Sequence, residues 1–255
     1  MTPSDIVLAN ALADAAGAAI RPWFRRPFLV ETKEDFSPVT IADREAEAAI
    51  RRLLAQHRPD DGVIGEEYGD DRPDAARVWV LDPIDGTRSF IAGRAIFGTL
   101  IALMEDGVPV LGVIDQPIAG DRWVGGTNHP TLLNGHCAHV RHRSQLAGAH
   151  LATSSPHYFN AEDFSAFERV RADAFDTLYG GDCHNYGLLA DGHLDLVVEA
   201  GLKLHDWAAL VPIVTNAGGV MIDWAGAPLR SGSDGRVIAA GDARVAAAVA
   251  QLLAG

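Results

Sequence analysis

Cysteine is nearly absent: Cys137 and Cys183 are the only two in 255 residues. Two isolated thiols build no disulfide framework and have no metal-ligand spacing, so reduced cysteines in a cytoplasmic protein are expected. Positive charge is also scarce, with 21 Lys and Arg against 34 Asp and Glu and a net charge of -13. That balance argues against a nucleic-acid backbone as partner. It is compatible with metal ions or with a small substrate, cationic ones included, although an acidic surface often serves only solubility. No apolar run is long enough to span a membrane. The N-terminus has no basic segment ahead of an apolar one and is interrupted by Asp5 and Asp14, so no signal peptide is expected. The ten histidines offer no His-x-x-x-His pair and no cysteine at ligand spacing, which argues against zinc. Internal repeats and low-complexity segments are lacking as well.

What is present suits a globular protein, 48% hydrophobic and 22% charged, long enough for one large domain or two tightly packed halves. Leu8, Leu12, Ala15, Ala19 and Trp23 recur at helical spacing and predict a helix over Ser4–Phe24 with Ser4 as cap. A second helix is predicted over Ile41–His57, with Ala46, Ile50, Leu53 and Leu54 on one face. Strands are predicted at 78–82, on both sides of Asp106-Gly107 within 96–117, and at 122–127. The first half is thus expected to be two helices followed by a largely antiparallel sheet. The second half alternates, with strands at 150–155, 175–180, 194–199, 218–224 and 235–241. Helices are predicted between or after them at 161–172, 183–191, 206–217 and 242–253. Strands sandwiched between helices, an α/β class, are expected. Residues 128–149, rich in His, Asn and Gly, read as the crossing between an N-terminal part (1–135) and a C-terminal part (136–255).

Four acidic segments stand out. Asp82 and Asp85 sit three apart in Asp82-Pro83-Ile84-Asp85-Gly86-Thr87, at the end of an apolar run. Two carboxylates so close repel unless something positive lies between them. Hard divalent cations such as Mg²⁺ take oxygen ligands and often share one or two carboxylates with substrate phosphates. Gly86 lets backbone approach a ligand, and Thr87 can open a short helix whose free N–H groups suit a phosphate. The plainer alternative is a surface turn, since Asp-Pro and Asp-Gly are common there. Gly65-Glu66-Glu67 ends another apolar stretch and either joins a metal cluster or is a solvated loop. Asp43 follows Thr40 by three residues, a capping-box signature. Asp206 opens an apolar helix, where N-capping is again the plain account.

In combination these segments resemble the inositol monophosphatase superfamily of metal-dependent phosphomonoesterases. The resemblance runs from Lys33 to the Asn216-Ala217-Gly218-Gly219 stretch behind Asp206. Within the superfamily the chain looks most like histidinol-phosphate phosphatases, in the segments 35–45, 85–103, 112–117 and 179–214. Where inositol phosphatases usually carry Asn-Phe, this chain has Arg88-Ser89-Phe90; where they carry Gly-Thr-Ala, it has Gly180-Gly181-Asp182. Their Trp before the helix-opening Asp is replaced by His205, with Trp207 following.

The resemblance implies a layered αβαβα sandwich of the inositol monophosphatase and fructose-1,6-bisphosphatase type. It implies that Glu66, Asp82 and the Ile84 carbonyl hold one Mg²⁺ and that Asp82, Asp85 and Asp206 hold a second, with a third, weaker ion near Glu66. Thr87 would orient the attacking water, with Asp43 accepting from its hydroxyl. Backbone near Gly86 and Thr87 would cradle the phosphate, beside Arg88. Asp182 and Glu199 would contact the leaving group, and two acids suit the cationic histidinol better than a neutral cyclitol. Lys33 would belong to a mobile loop near the metals. The expected product chemistry is histidinol phosphate to histidinol and phosphate, in histidine biosynthesis. The same chemistry on an inositol or sugar phosphate, or a non-catalytic metal or phosphate-binding module, are the alternatives. A cytoplasmic homodimer without nucleic-acid or membrane partners is expected.

Overall fold

The computed structural model describes residues 1–32 and 38–255. The first helix, α1 (Pro3–Ile20), is shorter at its C-terminal end than apolar spacing predicts. Thr2 rather than Ser4 precedes it, and both the Thr2 N–H and hydroxyl donate to Asp5 Oδ2, at 2.6 and 2.8 Å. Pro22 has no N–H with which to continue the ladder, so Arg21–Trp23 tightens into a 3-10 turn. An antiparallel ribbon of β1 (Val30–Thr32) and β2 (Pro38–Thr40) follows, short and without the alternation that would announce it. The helix α2 (Ile41–His57) covers the residues expected for it.

The first large sheet is built from β3 (Gly62–Gly65), β4 (Gly69–Asp71), β5 (Arg77–Asp85), β6 (Gly98–Glu105), β7 (Val108–Gln116), β8 (Asp121–Gly126), β9 (His129–Leu133) and β10 (His136–Cys137), with the one-turn helix α3 (Thr87–Ile91) after β5. The strand order is β10-β9-β8-β7-β6-β5-β3-β4. Every pairing is antiparallel except β3 with β5. Two features depart from expectation. β5 does not end at Asp82: it bulges between Asp82 and Asp85 and regains its pairing with β6. A bulge is one of the few places where a strand tolerates proline, and the turn comes only at Gly86. Residues 128–149 are not all crossing, since β9 and β10 extend the first sheet. The turn between them, Asn134-Gly135, has both φ angles positive, at 49° and 85°, as a tight hairpin requires. Their polar edge residues resemble loop composition, which is why alternation does not reveal them.

The second sheet contains β11 (His150–Thr153), β12 (Asp176–Tyr179), β13 (Leu196–Glu199), β14 (Val220–Ile222) and β15 (Val237–Ala240), in the order β12-β11-β13-β15-β14. Its helices are α4 (Ala161–Asp173), α5 (His184–Ala190), α6 (Leu204–Trp207), α7 (Leu210–Asn216) and α8 (Ala243–Ala254). The single helix predicted over 206–217 is two, because Pro212 cannot donate back to the Ala208 carbonyl and the ladder breaks there.

Alternation along the strands defines five layers. Trp79, Leu81, Ile101, Leu103 and Val113 face α1 and α2, which contribute Leu12, Ile20, Ile50 and Leu54. Val80, Leu100, Ala102 and Ile114 face the other way, onto α5 and α7, and meet Val197 and Ala239 of the second sheet across them. The far side of that sheet, Leu196, Val198 and Ile238, is covered by α4 and α8 through Phe167, Val170 and Val249. This is the expected αβαβα sandwich. Each fully buried large side chain contributes roughly 1.5–3 kcal/mol of hydrophobic stabilisation, so the strand ends that emerge from the stack are held on a stiff platform.

Candidate active site

A cavity of about 330 Å³ opens where the end of β5 faces the second sheet. Asp82, Ile84 and Asp85 reach it from the bulged strand, Gly86 and Thr87 from the following turn, Glu66 from the turn after β3, and Asp206 from α6. One carboxylate oxygen from each of Asp82, Asp85 and Asp206 lies within 4.8 Å of the others. Glu66 lies beside Asp82 and is one of the charges that act on it. Burial pushes the Asp82 carboxyl well above the usual range, and the charges of Glu66, Asp85 and Asp206 push it further. Asp85 is raised in the same way by burial and then by Asp182 and Asp206. Asp206 is raised by burial, against the pull of His205.

Four acids drawn from three separate segments thus face one another, at an electrostatic cost that a bound cation would relieve. The donors are all oxygens, the set that hard divalent ions prefer over softer metals. The residues present therefore fit a divalent cation such as Mg²⁺: Asp82, Asp85 and Asp206 as the shared cluster, with Glu66 beside Asp82.

The capping and site readings of Asp43 coexist atom by atom. Its Oδ2 accepts from the Thr40 N–H and hydroxyl at 2.8 and 2.6 Å, closing the capping box of α2. Its Oδ1 faces the Thr87 hydroxyl at 3.5 Å, and that hydroxyl also donates to the Ile84 carbonyl at 3.1 Å. Burial raises the Asp43 carboxyl to about 6. Asp206 is likewise divided: it sits inside α6 rather than at its N-cap, and one of its oxygens accepts the Lys203 N–H at 2.6 Å. Asp85 accepts the Cys183 N–H at 2.6 Å, which ties the first sheet to the start of α5.

The opposite wall is acidic too. Asp182 does not cap α5 through its side chain. It adopts a positive φ of 47° and accepts the Ser89 hydroxyl at 2.8 Å. Gly86, with φ of 85°, packs so closely that a Cβ there would lie 2.6 Å from Asp182 Oδ2. Glu199 lies at the cavity floor, where its oxygens accept the Ser154 N–H (2.8 Å), the Ser154 hydroxyl (2.6 Å) and the Tyr186 hydroxyl (3.0 Å). Burial raises it to about 7. Burial raises the pKa of the Tyr158 hydroxyl, and the charge of Arg88, exposed at the rim, acts on that hydroxyl in the opposite direction. Lys33 lies outside the described residues. Ser154, Tyr158 and Tyr186 also line the cavity, although nothing in their sequence surroundings marks them. Only the three-dimensional approach of β11 and α5 to Glu199 does so.

Comparison with known proteins places this geometry. The model of the inositol monophosphatase family matches residues 4–254. The chain is 50% identical over 219 residues to the chloroplastic bifunctional phosphatase IMPL2 of Arabidopsis thaliana, covering 85% of this chain but 63% of that protein, less than two thirds of its length. It is 40% identical over 235 residues to a histidinol-phosphatase of Streptomyces coelicolor, 88% of each chain. Among solved structures, an inositol monophosphatase from Zymomonas mobilis superposes with a TM-score of 0.92 at 56% identity, over 99% of this chain and 98% of that one.

Proposed function

The chain belongs to the inositol monophosphatase family, and from that premise we propose that it is a Mg²⁺-dependent phosphomonoesterase that hydrolyses L-histidinol phosphate to L-histidinol and phosphate. The observation that carries the proposal is the convergence of Asp82, Asp85 and Asp206 within 4.8 Å, on a cavity sized for a small metabolite. Two or three divalent ions held by Glu66, Asp82, the Ile84 carbonyl, Asp85 and Asp206 would supply charge neutralisation at the phosphoryl oxygens and acidify water. The chain's own residues do the rest. The one Thr87 hydroxyl proton is directed at the Ile84 carbonyl and the Asp43 carboxylate, which leaves the Thr87 oxygen lone pairs to accept from the attacking water. The N–H groups of Gly86 and Thr87 precede the helical ladder of α3 and have no acceptor within it, so they are available to phosphate oxygens. Asp43 is fixed by Thr40 and does not have to reorganise as charge develops.

The leaving group meets Asp182 directly and Glu199 through Ser154 and Tyr186, with Arg88 and Tyr158 at the rim. A cationic amino alcohol is attracted to such a wall, while the cluster of Asp82, Asp85 and Asp206 would hold the ions that neutralise the phosphate end. The division between residues 1–135, with most metal ligands, and 136–255, with the leaving-group wall, is part of this proposal. So is action in the cytoplasm as a homodimer in histidine biosynthesis. Exposed Leu178 and Tyr179 on the edge strand β12, with Phe175 just before it, supply apolar surface that a second copy can cover.

The similarity to the Zymomonas protein favours a second reading, inositol monophosphate as substrate. Phosphate release from histidinol phosphate, inositol 1-phosphate and a sugar phosphate, with Mg²⁺ and with chelator, separates the two. The proposal requires the highest kcat/KM on histidinol phosphate and no release in chelator. Turnover confined to inositol phosphates would remove it.

A further inference from the structure

The apolar face of α2 carries a charged residue where none is needed for packing. Glu47 is fully buried beside Ala46, Ile50 and Leu54, one helical turn beyond Asp43. A buried carboxylate is costly unless it is fully hydrogen-bonded. Its partners are specific: Oε2 accepts the Glu67 N–H at 2.8 Å, and Oε1 accepts the Tyr68 N–H at 3.2 Å and Arg51 Nε at 2.7 Å. Arg51 also donates to the Gly69 carbonyl. The strand β3 approaches so closely that a Cβ on Gly65 would collide with the Glu47 carboxylate. Glu47 and Arg51 therefore grip both ends of the turn 66–69, whose first residue is Glu66.

From this geometry we infer that Glu47 is a positioning residue for the metal centre: it fixes the turn that aims Glu66 at Asp82, with Arg51 locking the carboxylate in place. A helical salt bridge alone would account for Arg51, since the two residues are spaced i,i+4. It would not account for two backbone N–H groups of the Glu66 turn converging on the same side chain. One helix thereby positions two parts of the site, Thr87 through Asp43 and Glu66 through Glu47. The inference rests on the metal-centre reading given above.

Glu47→Gln keeps the volume but replaces one accepting oxygen with an NH₂ group aimed at another N–H. Mn²⁺ binding, followed by the electron paramagnetic resonance of the free ion, should weaken by about tenfold to a hundredfold, the usual effect of losing a group that orients a metal ligand. In phosphate release the half-saturating Mg²⁺ concentration should rise by the same factor. The rate at saturating Mg²⁺ and the KM for the ester should change much less, a split that general destabilisation would not give. Arg51→Met, which leaves Glu47 in place, should shift Mn²⁺ affinity in the same direction by a smaller factor and serves as the deciding variant if Glu47→Gln does not fold. A folded Glu47→Gln, or failing that a folded Arg51→Met, with wild-type Mn²⁺ affinity overturns the inference alone. Wild-type protein that binds no Mn²⁺ overturns the metal-centre reading and this inference with it.

Discussion

The cavity wall that carries the proposed metal ligands rests mostly on β5 and α6, with Glu66 on a turn, whereas much of the proposed leaving-group wall is loop, with Glu199 at the end of β13 and Tyr186 on α5. Asp82, Ile84 and Asp85 lie on β5 itself, and α3 behind them is wedged by the Phe24, Phe28, Phe90 and Phe97 rings, with neighbouring centroids 5.1–5.9 Å apart. Across the cavity, Ser154 to Phe159 forms a bend and a 3-10 turn, and Gly180, Gly181 and Asp182 have successive positive φ values of 84°, 118° and 47°. A rigid frame suits groups that must hold charge at fixed separations. Loops on such a frame can change without disturbing it, which is where specificity usually resides. Substitutions on the first wall should therefore reduce turnover on every substrate, and substitutions on the second should change which substrate is preferred.

The largest effect is expected at Asp85. Asp85→Asn removes a cluster charge from β5 and should lower kcat by about a thousandfold, comparable to losing a strong preorganised electrostatic group, with unchanged circular dichroism. A near-normal rate would place the chemistry elsewhere. Asp43→Asn should cost about a hundredfold in kcat, on the scale of a positioned proton acceptor, with little change in KM for any ester. A loss confined to KM would mean that Asp43 serves only as the cap of α2.

The second wall gives subtler effects. Burial holds Glu199 protonated up to about pH 7, against 4.5 for an ordinary glutamate. The folded chain then keeps a proton that the unfolded chain has released. Glu199 therefore favours folding below about pH 4.5, and that contribution, on the order of 3 kcal/mol, is lost as pH rises through 7. Glu199→Gln mimics the protonated form between Ser154 and Tyr186. In the metal-free protein its urea midpoint should gain on the wild type between pH 5 and 8, and parallel curves would contradict the assignment. Smallest of all, Asp182→Ala should raise KM severalfold for a cationic phosphate ester, on the scale of one charged contact, and less for an uncharged one. Equal changes on both esters would remove Asp182 from leaving-group recognition.

The first wall was far more legible in the sequence than the second. Asp82, Asp85 and Thr87 lie within one short segment, Glu66 ends an apolar run and Asp206 opens an apolar helix, so local pattern singles them out, and the family resemblance supplies their expected roles. The end of the strand that bears Asp82 and Asp85 is not legible in the same way, because Pro83 signals a turn and only the pairing with β6 shows a bulge. For Asp43 the sequence offers both a capping and a site role, and only the structure shows that its two oxygens divide them. Ser154, Tyr158 and Tyr186 were invisible because they meet Glu199 and Arg88 through tertiary approach alone. Glu47 left a faint trace, an acid on the apolar stripe of α2, which patterning treats as noise and packing turns into a contact with the Glu66 turn.

The most direct test is an anomalous-scattering map of crystals grown with Mn²⁺. Strong peaks among the carboxylates of Asp82, Asp85 and Asp206, with one reaching Glu66, are predicted. A map with no peak at these four acids, from protein that still releases phosphate in Mn²⁺, would contradict the assignment of the metal centre.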